Sequence, residues 1–502
     1  MAEIIVYGSD EEIIKKAKMG IGRTFSSLDV NNRLAIRSNK GDLGQIVEEG
    51  LFGYRINGRQ EPDFAEAGTE LKVTGYKTVK QGKSERVVAK ERLVLTMIDF
   101  YDVPKFSFYE SHCYAKMKKI LLMWYHYIEG KYKGDYYTEW VILYKFNLIP
   151  EEDKAIIEHD YETIRAKIKR GEAHLLSESD TDYLAANRKG NKDSKPRRQP
   201  YSDELAKSRS FSLKPKYMTM LINSSWFVNN VITKDTLTAE KEVSGFTADE
   251  VRGKGLSNAI VERMKPYLSM SLSAIDGKLG KGITRSSYDY LYRYVRAMLN
   301  TQCDPEDLDE FRKAGIKVKT VRLDANGTPE EDTSLPAFRF ADLAREEDWF
   351  ESSLRDRLTS EKYLFCVFTP VDRQKKEYVF SNAFVWGVPD SDLDGDIREV
   401  WEITRRLAVT PNGIRIETKP LKTGGVSHPN NLPKSSWGKC MHVRPHTSRS
   451  AYRLFTDADD DEESLRRFAD LIPDGTGRMM TRQCFFFNKK YIKHVIEEHD
   501  LR

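Results

Sequence analysis

The stretch PDFAEAGTELKVT (residues 62–74) puts Asp63 seven residues before Glu70, with Lys72 two residues further on. Side chains alternate along a strand, so Glu70 and Lys72 leave one face while Leu71 and Val73 turn to the core. Gly68 lets the chain bend ahead of the strand, and Asp63 arrives from that preceding turn. Two carboxylates and an ammonium group so placed suit phosphodiester hydrolysis. Mg2+ takes hard oxygen ligands, often one or two carboxylates plus phosphate and water. A lysine cannot join the ion, but it can contact the phosphate or polarise the attacking water. The same three charges also suit a solvated strand, and the spacing alone leaves both readings open.

The flanks build an α/β frame around this stretch. Ser9 and Glu12 form a capping box ahead of Ile13, Ile14 and Ala17. GDLGQIVEEGLFG predicts a helix with Leu43, Ile46, Val47 and Leu51 on one side and Glu48 on it. TELKVTGY, ERLVLTMIDF, KKILLMWYHYIEG and EWVILYKFNLI read as strands, and their continuous apolar runs predict a mostly buried sheet. Ile157, Tyr161, Ile164 and Ile168 then recur at helical spacing.

At 502 residues, the chain has room for about two to four domains. It is 39% hydrophobic and 31% charged, and no apolar run is long enough to span a membrane. The N-terminus lacks an apolar signal-peptide core. Five scattered cysteines, never in C-x-x-C, argue against a disulfide framework or a zinc site and suit a reducing cytoplasm. Net charge is only +4, but residues 187–216 carry ten Lys and Arg against three acids. That stretch is either a solvated basic loop or a face for a polyanion.

Two short repeats suggest a diverged duplication. EFRKAGIKVKTV (310–321) lies over residues 63–74 with Phe, Ala, Gly and Lys in common, and CFFFNKKYIKHVI (484–496) lies over SFSLKPKYMTMLI (210–222) with Phe, Lys, Tyr and Ile in common. Glu310 falls on Asp63, but Lys317 falls on Glu70. A cation in place of a ligand makes the second copy a binding module on a catalytic frame.

PDFAEAGTELK resembles the catalytic segment of the DNA-nicking mismatch-repair endonuclease MutH and of its restriction-enzyme relatives, the staphylococcal-type GATC cutters, within the PD-(D/E)xK superfamily. GDLGQIVEEGLFG, ESHCYAKMKKILL, HDYETIRAKIKRGEAHLLSESDTDYLAA and SFSLKPKYMTMLI continue the likeness in order over residues 1–225. KERLVL, RQPYSD, CMHVRPHT and YIK extend it to the restriction relatives over nearly the whole chain. The resemblance implies two tandem restriction-endonuclease-like domains, each a mixed sheet flanked by helices. These are a catalytic domain at 1–228, a connector at 229–270 and a silent DNA-binding or effector domain at 271–502. It also implies Mg2+-dependent hydrolysis of duplex DNA at GATC, one or two bound DNA copies, a dimer on DNA and a partner methyltransferase in a bacterial cytoplasm.

By position, Asp63 and Glu70 would hold the metal, Lys72 would serve the water or phosphate, Glu48 would support the metal or its water, and Lys116, on a strand of the family, would support the phosphate. The DNA-facing residues would be Arg188, Lys189, Lys192, Lys214, Lys216 and Tyr217, with Arg444, Pro445, Lys489 and Lys490 in the second half. Where the family often has Arg-Pro-Lys, this chain reads AANRKGNK (185–192), and Arg188 is the nearest arginine for a guanine. A binding-only regulator has no need for intact metal ligands, and a nicking enzyme is about half this length. His112 beside Cys113 has no acid partner for nucleophile chemistry. Pro445 between His442 and His446 argues against a zinc helix. Phe485–Phe487 reads as core.

Overall fold

The apolar run KILLMWYH folds as the central strand of a mixed sheet in the computed structural model. The sheet contains β1 (Glu70–Gln81), β2 (Ser84–Ala89), β4 (Lys119–His126) and β5 (Thr138–Lys145), in the order β2-β1-β4-β5. β4 pairs parallel with β1 and antiparallel with β5, and Ile120 to Trp124 are completely buried. A strand covered on both faces has no use for alternation, which is why its sequence is uninterrupted. A second, fully antiparallel sheet places β7 (Arg209–Leu213) between β3 (Leu93–Met97) and β6 (Leu184–Arg188).

Three helices matter to the site. α1 (Asp10–Lys18) starts with the expected Ser9 cap, Glu12 N donating to Ser9 Oγ, but the box is not closed on Ser9: the Glu12 carboxylate accepts from Gly8 N, one residue earlier. α2 (Asp42–Gly50) buries Ile46 and Val47, and Gly50 lies so close to the Leu28 carbonyl that a Cβ would collide with it. α3 (His112–Met117) is capped by Ser111 and carries Lys116, so the segment expected as strand at Lys116 is a helix. Its Ser111 hydroxyl accepts from Tyr114 N, a cap that turns the chain helical just before β4.

The structure describes residues 6–35, 41–54, 61–81, 84–189, 195–233, 237–417, 419–420, 422, 426–427, 429–446, 454–455 and 468–500. The chain divides into two units, residues 1–260 with 301–316, and residues 261–300 with 317–502. The first unit is thus wider than the 1–228 enclosed by the motifs. α4 (Glu151–Lys169) and α5 (Pro215–Ile222) belong to it, and so does α6 (Asp309–Ala314). Within it Glu240 accepts from Arg86 and from Arg312, so this polar stretch is tied down rather than a free linker.

The second unit repeats the plan of the first. Its strands β8 (Ile316–Arg322), β10 (Lys362–Asp372) and β11 (Glu377–Trp386) follow one another across a sheet, as β1, β4 and β5 do. A second antiparallel sheet places β13 (Cys484–Phe487) between β9 (Thr333–Ala337) and β12 (Met441–Arg444). Leu213 pairs with Leu93 and Leu184, and Phe487 pairs with Thr333 and Met441. Both outer strands, β3 and β9, carry a register shift at the same place. These are two tandem restriction-endonuclease-like α/β units, and Phe485 to Phe487 are core. Among the described residues no helix is long and apolar enough to cross a membrane, and all five cysteines are free.

Candidate active site

The seven-residue spacing from Asp63 to Glu70 is a hairpin. Phe64 N donates to Thr69 O at 2.9 Å and Thr69 N to Phe64 O at 3.2 Å, closing a turn over Ala65–Gly68. Gly68 takes φ +61°, a left-handed conformation that glycine adopts without steric cost. The residues just outside the Phe64–Thr69 bridge are therefore Asp63 and Glu70, one on each arm. Asp63 Oδ2 accepts from Leu71 N at 2.8 Å, which pins it to the start of β1. Leu71 is buried as expected, and Val73 is half-buried.

Glu70 is 3% exposed, and both of its oxygens are engaged. Lys72 Nζ donates to Oε1 and Lys116 Nζ to Oε2, each at 2.8 Å. Lys116 also donates to the Glu61 carbonyl at 2.7 Å, so it is held from both sides. Asp63 is pushed above the usual carboxylate range by burial and then by the charge of Glu70. Glu48, on α2, is raised to about 7 by burial and then by the charge of Asp63, against the pull of Lys72. Glu48, Asp63, Glu70, Lys72 and Lys116 are thus brought into one electrostatic group from α2, the hairpin, β1 and α3.

A family model described as the DNA mismatch repair enzyme MutH matches residues 52–160, a span that contains the hairpin, Lys72, Lys116 and β1 to β5. The chain is also 32% identical to the type II restriction enzyme Sau3AI of Staphylococcus aureus over 512 residues, covering 98% of this chain and 99% of that enzyme. The chain belongs to the MutH-like restriction endonuclease family. It is a type II site-specific nuclease, and its substrate is double-stranded DNA.

In this nuclease the expected DNA-facing residues separate into groups. Lys214 is 2% exposed and donates inward to the Thr181 carbonyl; it precedes α5 and anchors that loop. Tyr217 is 1% exposed, its ring 5.1 Å from that of Tyr183, and burial raises its phenol. Neither side chain reaches a DNA surface, which corrects both expectations. Pro445 is likewise buried. Arg188, Lys189 and Lys216 are half-buried, Lys489 and Lys490 are exposed, and Lys192 lies outside the described residues.

Arg444 lies over the Phe486 ring at 4.1 Å and 3.5 Å from Asp332. It pairs with Cys484 as Asn187 pairs with Ser210. The first-unit counterpart of Arg444 is therefore Asn187, not its neighbour Arg188. Asn187 is 5% exposed and accepts from the Ser210 hydroxyl.

The remaining polar motifs have ordinary roles. Cys113 is fully buried and burial raises its thiol, the opposite of what a nucleophile needs. Burial and then Lys116 lower His112. Glu310, expected on the frame of the silent copy, accepts from Ser244 Oγ at 2.7 Å and from the amides of Gly245 and Phe246, so its carboxylate is satisfied within the first unit. A cleft of about 590 Å3 opens beside Glu70 and Lys116, and Arg197 lines it. In the sequence Arg197 is one of ten basic residues between 187 and 216, and no local pattern singles it out.

Proposed function

We propose that this nuclease makes Mg2+-dependent double-strand cuts at GATC-like sites. Catalysis would belong to residues 1–228 with the segments packed on them, and residues 271–502, beyond a connector at 229–270, would bind a second DNA copy as effector. The observation that carries the reading is the pairing of Asp63 and Glu70 across one tight turn, with two lysines on Glu70. Among the described residues no three His, Cys, Asp or Glu side chains form a metal-holding group. Two carboxylates nevertheless fit Mg2+, which takes its other ligands from water and phosphate. Burial first, and then the neighbouring carboxylate charge, raises Glu48 and Asp63, and a divalent ion beside them would favour their charged forms. When bound, the ion would neutralise the phosphate and stabilise the departing oxygen. Lys72 holds Glu70 in register and presents its ammonium group to the water or phosphate, and Lys116 fixes the far oxygen of Glu70. With one centre per chain, two strands need two chains on the duplex or two successive cuts. Digesting a plasmid of known sequence with and without Mg2+, and sequencing the ends, tests the reading. Double-strand ends at GATC support it. Nicked circles, ends elsewhere or intact plasmid in Mg2+ contradict it.

The acid limb of cleavage should trace to Glu48. A carboxyl raised to about 7 is neutral below that pH and charged above it, so kcat/KM should rise as pH passes neutrality at low Mg2+. More Mg2+ adds positive charge beside Glu48 and should move the limb to lower pH. Glu48→Gln should abolish the Mg2+-dependent shift. A limb that moves identically in that variant would remove Glu48 from the site.

The silent half should stay silent. Lys317→Glu, placed in a Glu70→Ala background, is expected to restore no cleavage, because Glu310 is already engaged by Ser244, Gly245 and Phe246. Plasmid cleavage above the Glu70→Ala background would refute this assignment.

A further inference from the structure

The geometry points to Arg197 as a phosphate-contacting residue of the catalytic cleft, a role that rests on the nuclease reading above. The charges of the cleft single it out. Its acids are Glu70, Asp99, Asp102 and Glu110. Glu70 is held by Lys72 and Lys116. Asp99 accepts from the amides of Tyr101 and Asp102. Asp102 pairs with Lys105, and Glu110 closes a capping box on Ser107. The cations lining the cleft are Lys116, already bound to Glu70, and Arg197. Arg197 is exposed, and among the described residues no carboxylate neutralises it. A cleft that admits a polyanion beside Glu70 needs a cation with its charge unspent, and a guanidinium matches phosphate oxygens in a two-pronged geometry.

The backbone carrying Arg197 is held firmly. It opens a two-stranded ribbon, Arg197–Gln199 against Ser202–Ala206. Gln199, 4% exposed, accepts from Ala173 N at 2.7 Å and donates to Glu204 O at 2.7 Å. The ribbon turns through Pro200 and Tyr201, the latter at φ +65°. A Cβ on Gly171 would stand 2.5 Å from the Tyr201 carbonyl, so the turn lies directly against the segment after α4. An arginine on a ribbon pinned at its turn and paired with the buried Ala206 can position a DNA strand rather than trail after it.

The test is the salt dependence of cleavage by the full chain on a one-site duplex, between about 0.05 and 0.2 M salt. Each phosphate contact contributes about 0.9 to the slope of log affinity against log salt for duplex DNA. Arg197→Ala should make the slope of log kcat/KM shallower by about that amount and lower kcat/KM about tenfold at moderate salt, chiefly through KM. Arg197→Lys should keep the slope, because the charge remains. Arg198→Ala, an exposed neighbour outside the cleft lining, should leave the slope unchanged. A parental slope in Arg197→Ala, or an equal loss in Arg198→Ala, overturns the assignment while leaving the nuclease reading intact. Absence of cleavage by the parent would sink both.

Discussion

Glu70→Ala should lower Mg2+-dependent cleavage by about a thousandfold or more, equivalent to about 4 kcal/mol of barrier, while the duplex remains bound in Ca2+. The size of the effect follows from what Glu70 joins. It is the strand-borne carboxylate of the Asp63–Glu70 pair, and both lysines of the site take their positions from it. Removing it strips a proposed metal ligand and releases Lys72 and Lys116 together. Lys116 is 8% exposed and keeps the Glu61 carbonyl as a partner, so the fold should survive. Glu70→Gln keeps the volume and separates loss of charge from loss of packing. Cleavage assays paired with binding in Ca2+ make the check. Near-parental cleavage by either variant in Mg2+ would remove the hairpin from the mechanism.

The hairpin was legible because three local facts agree. The seven-residue spacing, a glycine where φ must be positive, and alternation beyond Glu70 all describe one turn running into one strand. Lys116 was placed by resemblance, but its helix was hidden. SHCYAKM is short and runs without a break into an apolar strand, and its one signal is the Ser111 cap. Lys214 and Tyr217 misled for a different reason. A lysine and a tyrosine beside a basic stretch look like surface, yet the Thr181 carbonyl and the Tyr183 ring, more than thirty residues upstream, draw them inward. No local pattern encodes such a partner. The duplication was visible as two weak repeats, and strand order and a shared register shift strengthen it, because topology persists where side chains have changed.

The helix at Asp309–Ala314 belongs by sequence to the repeat that opens the second copy, yet the first unit should depend on it heavily. Lys313 Nζ lies 2.8 and 2.9 Å from the two oxygens of Asp153, on α4; Asp153 is buried and Lys313 partly so. Burial raises Asp153 to about 6 despite Lys313, so the carboxylate is still charged at neutral pH. Lys313→Met should therefore leave a buried charge without its counter-ion and cost about 3–5 kcal/mol. The folded carboxyl sits above its unfolded value of 3.8 and rises further once Lys313 is gone. The folded state then binds more protons than the unfolded state, so the deficit should be small in acid and grow as pH climbs through 6 to neutrality. Pairing the change with Asp153→Leu should recover most of the loss, since an apolar pair needs no counter-ion. Calorimetry of the four chains of this cycle at acid and neutral pH provides the measurement. A Lys313→Met chain as stable as its parent at neutral pH would mean that the ion pair contributes nothing. A chain cut at residue 228 would lose this helix along with the second unit, so it cannot report on the second unit alone. Point changes in the full chain can.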